Sequence, residues 1–178
     1  MRSVTAPAER LVAAERRTSD TAAFLLQGAL AGLFGASLLA AWFLYLDVLR
    51  GEPLFTPTLL ATALLRGGGT PAPHTLVESV WLTLLFTVVH GLVFVAVGIG
   101  AAAFLERFAL FRTRALLISL IFGVLCLGFF AVAARISAVG PQGVAVRDAF
   151  IGNAIAAFAM GAYLARFLPP ARNPEAGA

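Results

Sequence analysis

The sequence contains no lysine and little charge of any kind. All 13 basic residues are arginine, and Asp and Glu together number 9. Charged residues make up 12% of the chain, against roughly 25% in a soluble domain. So little polar surface does not cover a core for water. The missing lysine reads as the mark of a GC-rich bacterial genome, because basic patches that hold nucleic acid usually mix both cations. The formal charge of +4 and the isoelectric point near 10.6 invite a nucleic-acid partner. That partner is excluded by placement, since the arginines gather at the ends of apolar runs, where membrane topology wants them. Cysteine is nearly absent too. The single Cys126 rules out a disulfide framework and a thiolate metal cluster within one chain. No HExxH, P-loop, GxSxG or CxxC motif occurs, so no enzyme and no cofactor is expected. One histidine in an apolar run, His90, is too few for bis-histidine haem ligation in one chain. His74 follows Pro71-Ala72-Pro73 in a loop and reads as solvated.

What the sequence has in abundance is apolar length. Hydrophobic residues make up 60% of it, and the mean hydropathy is +0.92. Four apolar segments stand at about 22–49, 76–105, 115–138 and 146–168. Each reaches the ~20 residues needed to cross ~30 Å of hydrocarbon. Only helices satisfy their own backbone there, and no barrel-like alternation is present. The expectation is an all-α, integral membrane four-helix bundle at 22–168, in the bacterial inner membrane. Residues 1–21 read as a polar cytoplasmic segment with a short surface helix from Pro7 to near Arg17. Residues 169–178 read as a cytoplasmic tail. The first apolar run exceeds the about 7–15 residues of a signal-peptide core, so it is read as an uncleaved span. With the N-terminus inside, nine arginines fall on the inner side and four on the outer, which places both termini in the cytoplasm.

The loop between the first two spans has structure of its own. Thr56-Pro57 makes a helix start and Gly67 a stop, which predicts a short helix over 57–66. At ~15 Å it covers about half a bilayer, so it lies in the outer interface or tucks against the bundle. Thr75-Leu76-Val77-Glu78 reads as a capping box opening the second span.

Small residues mark the packing faces, because helices in lipid associate by close approach. Gly28, Gly32, Ala36 and Ala40 lie at steps of four in the first span. Gly128 and Ala131 lie in the third. Ala149, Asn153, Ala157, Gly161 and Ala165 form one stripe of the fourth. The second span differs: Ser79, Thr83, Thr87 and His90 make a polar stripe running inward. Hydroxyls of this kind usually bond to their own helix, but the stripe is also the one candidate path for a proton or a ligand. A second candidate is a cluster at the outer helix ends, Asp47, Glu78, Arg135, Arg147 and Asp148. A charge at the bilayer centre costs ~2.5–3.5 kcal/mol on insertion scales, so Asp47 and Arg135 are expected to pair across the first and third spans.

Asp47, Gly51, Pro53, Thr56 and Pro57 spell D-x-x-x-G-x-P-x-x-T-P, and Thr87-Val88-Val89-His90 follows in the second span. This order resembles a group of uncharacterised bacterial four-helix membrane proteins. The resemblance implies the fold and the location and carries no catalytic residue. Two functions follow as expectations. One is a structural or accessory subunit beside a larger membrane complex, or beside copies of itself. The other is a small oligomeric transporter or channel using the stripe of the second span.

Overall fold

The computed structural model of the chain describes residues 5–66, 76–107, 114–133 and 144–167. Their regular elements are helical: α1 Thr5–Arg50, α2 Phe55–Leu65, α3 Val80–Arg107, α4 Arg114–Ala133 and α5 Val146–Leu164, the last followed by a 3-10 turn at Ala165–Phe167. Two stretches are long and apolar enough to cross a membrane, Thr21–Arg50 of α1 and Val80–Leu105 of α3. The apolar part of α4, Leu116–Val132, is shorter.

α1 is one helix of 46 residues, ~69 Å long. The expected break near Arg17 does not occur. Between Pro7 and Gly28 the sequence offers no glycine or proline, and the Ala, Glu and Arg there are good helix formers. The helix ends at Gly51, whose φ of +79° lies in the left-handed region. The Gly51 N–H donates to Val48 O and the Glu52 N–H to Asp47 O, both at 3.0 Å. That is a Schellman closure, which requires a residue without Cβ penalty at this position.

α1 is the centre of the arrangement. It packs on α3 along one side and on α5 along another, α4 packs on α5, and α3 and α4 touch only weakly. The α1–α3 crossing is a backbone-to-backbone contact. A Cβ on Gly28 would stand 2.6 Å from Gly98 O, and one on Gly32 would overlap the backbone of Phe94. Gly98 faces Gly28 and Gly32 in return. Along α5, Ala149, Asn153, Ala157, Gly161 and Ala165 are all buried, with Gly161 seated against Ile118 of α4.

Three of the expected packing residues, Ala40, Gly128 and Ala131, are exposed within the described chain. Ala40 is exposed, because a strict step of four drifts about 40° per step around a 3.6-residue helix. The buried face of α1 instead runs through Gly32, Ala36, Leu39 and Asp47. Gly128 is exposed with open space where its Cβ would be. The face that α4 buries consists of Leu117, Ile121 and Leu125.

The core has two parts. The larger joins α1, α3, α4 and α5 around Ala31, Phe94, Ile121 and Met160. The smaller lies under α2, where Phe55, Leu59 and Ala63 meet Val144 and Ala149. α2 is therefore buried on several sides, at seven of its 11 residues. It tucks against α3 and the start of α5, and it begins two residues earlier than the sequence suggests, at Phe55.

Candidate functional site

The polar residues collect where α1 ends, α2 begins and α5 begins. Asp47, on the last turn of α1, is fully buried. Its Oδ2 accepts the Thr56 backbone N–H at 2.8 Å and its Oδ1 accepts the Thr56 hydroxyl at 2.7 Å. Leu54, the residue at the N-cap of α2, has no side chain able to cap it. Asp47 performs that task from the neighbouring helix, placing a carboxylate against exposed N–H groups at the positive end of α2. Glu78 does the same from the other side, accepting the Leu54 N–H at 3.0 Å. Two carboxylates thus hold the start of α2. The loop Gly51–Leu54 is short enough to bring them there.

Arg50 links this latch to α5. Its Nη1 lies 3.7 Å from Asp47 Oδ1, and its Nη2 donates to Asp148 Oδ2 at 3.4 Å. Asp148 is itself buried and also takes Arg147 Nε at 3.1 Å. The Trp42 indole N–H donates to the Asp148 backbone carbonyl at 2.9 Å. At the far end of the same two helices, the Tyr163 hydroxyl donates to Gln27 Oε1 at 2.7 Å.

Asp47, Glu78, Arg147 and Asp148 therefore share one end of the molecule. Arg135 lies outside the described residues, so its pairing with Asp47 does too. The partners Asp47 does have are Thr56 and Arg50. Arg50 was legible from its i, i+3 spacing to Asp47, but it also reads as a topological marker at the end of a span. Thr56 reads as an N-cap, yet it lies inside α2 and gives both donors to Asp47. Thr75 of the proposed capping box lies outside the described residues, and the Glu78 carboxylate serves Leu54.

The polar stripe of α3 divides in two. Its N-terminal part is covered by α2. The Ser79 N–H donates to Thr58 Oγ1 at 3.2 Å, the Thr58 hydroxyl reaches Ser79 O at 3.4 Å, and Thr58 and Thr83 hydroxyls lie 3.4 Å apart. Thr62 donates to Thr58 O at 2.7 Å. Lower down, Thr87 donates to Thr83 O at 2.7 Å within its own helix. His90 lies deeper, between two rings of its own helix face. Phe86 stacks on it with centroids 5.4 Å apart, and Phe94 is tilted against it at 4.7 Å. His90 Nε2 is fully buried and has no hydrogen-bond partner among the described residues.

The chemistry on offer is that of a clamp. The carboxylates and guanidinium groups of the cluster are engaged with one another or with backbone N–H groups. Among the described residues no three of His, Cys, Asp or Glu gather as a metal ion would require. Comparison with protein-family models, with curated proteins and with solved structures gives no match.

Proposed function

We propose that the chain is a multi-pass protein of the bacterial inner membrane, with four spans, both termini in the cytoplasm and α2 at the outer side. Its role is that of a structural or accessory subunit of a larger membrane complex. The observation that carries this reading is the contrast between its two kinds of surface. The described charged groups Asp47, Arg50, Glu78 and Asp148 are spent on joining α1, α2 and α5. The long faces of the helices, by contrast, are apolar and uncovered. Little of the α3 surface is buried inside the chain. Trp81, Leu84, Val88 and Leu92 stand exposed along it. Such a face needs lipid or another apolar helix, and close helix packing is the means by which subunits join in a bilayer.

The pathway reading is weaker. Thr58 of α2 occupies the outer part of the stripe that a path would need. The test is purification of tagged protein from native membranes in mild detergent, with identification of what accompanies it. A stoichiometric larger complex is the expected result. A lone, monodisperse chain would overturn the accessory role.

A further inference from the structure

Among the described residues, the Thr and Asp groups beside α2 find partners, whereas His90 carries a fully buried side-chain nitrogen, Nε2, with no hydrogen-bond partner. Leaving such a group unsatisfied is costly enough that native structures rarely do so. Its ring contacts Phe86 and Phe94. Phe94 in turn touches the α1 glycine face, with its carbonyl at Gly32 and its ring 3.4 Å from a Cβ placed on Gly35. Met160 of α5 meets Gly35 from the other side. With Phe86 stacked on it and Phe94 tilted against it, the imidazole offers its edge, and that edge offers one hydrogen bond in the plane of the ring. A partner that reaches this depth has an apolar body. α3 and α4 meet only weakly, as do α1 and α2.

We infer that His90 is a binding residue for a lipid-soluble molecule bearing a carbonyl oxygen, which accepts a hydrogen bond from Nε2–H between Phe86 and Phe94. This rests on the membrane reading above and goes beyond the accessory role, because it gives the subunit a ligand of its own. Carbonyls of this kind come from two sources, a quinone ring or the ester of a phospholipid, and the experiment separates them. The chain has two histidines, so His74→Ala leaves one imidazole to follow. The variant, labelled with nitrogen-15, is placed in nanodiscs of ether-linked phosphatidylcholine, which has no carbonyl. The Nε2 resonance is recorded there, after addition of decyl-benzoquinone, and in nanodiscs of the ester-linked lipid.

A saturable shift with the quinone, or a shift on passing to the ester lipid, is the expected result, and whichever occurs names the source. In the quinone case, His90→Phe keeps the ring stack and weakens quinone quenching of Trp fluorescence about tenfold, the worth of one hydrogen bond. An Nε2 resonance that stays the same in all three conditions overturns the inference and leaves the membrane reading intact. A chain that fails to insert into nanodiscs overturns both.

Discussion

Asp47 shows how a single side chain can do the work of a missing cap. Nothing at Leu54 can receive the first N–H groups of α2, so the acceptor comes from nine residues upstream of Thr56. Removing it leaves a buried donor without a partner, at a cost of about 1–3 kcal/mol. Asp47→Ala is therefore expected to lower the thermal midpoint in detergent, and Thr56→Val to lower it less, because its backbone N–H keeps the carboxylate. If the double variant falls by the sum of the two, the coupling across these atoms is absent. Sequence reading placed Asp47 at the right end of the right helix, since a lone acid at a helix end is conspicuous in so apolar a chain. It did not find the partner. Thr56 carried a strong local signal as a cap, and no local rule reports that a hydroxyl is instead donating across a turn to another helix.

At the level of the helices, glycine sets which pairs approach closely. Gly28 and Gly32 meet Gly98 across the α1–α3 crossing, while Gly123 on α4 has open space around it. Gly98→Val is thus expected to disrupt the crossing and shorten the lifetime of the folded protein in detergent, with Gly123→Val serving as a nearly neutral control. Equal loss in the two variants would mean that the glycine contact is not what holds α3. The helical class was legible from apolar length, whereas the unbroken run of α1 back to Thr5 was not, because its first turns are polar. The faces of the helices were less legible. Gly28, Gly32 and Ala36 lie on the buried side, and Ala40 does not, because a pattern of small residues fixes neither the drift around the helix nor which neighbour is near. The seam between α2 and α3 through Thr58 was hidden for a related reason: Ser79 and Thr83 read as one stripe with His90, and only the fold shows that α2 sits on half of it.

For the molecule as a whole, topology is the property that reporter fusions read most directly. Reporters at the N-terminus, after Arg107 and at the C-terminus are expected to be active in the cytoplasm, and one at Gly68 to be active outside. A reporter at Gly68 that is active inside would invert the arrangement and put the Asp47 cluster at the cytoplasmic face. The sequence supports this orientation through its arginines, a bias that acts during insertion and leaves little trace in the packing of the finished fold.

The unbroken length of α1 has a mechanical meaning. Its first 16 residues, before the apolar stretch that begins at Thr21, continue the same axis for ~24 Å. A rod without a hinge behaves as a lever. A tilt of about 10° within the bundle carries its tip sideways by about 4 Å, the geometry of a rigid helix of that reach. Whatever grips the far end of this lever therefore feels the attitude of α1 among its neighbours, and with it the state of the glycine crossing and of the latch at Asp47.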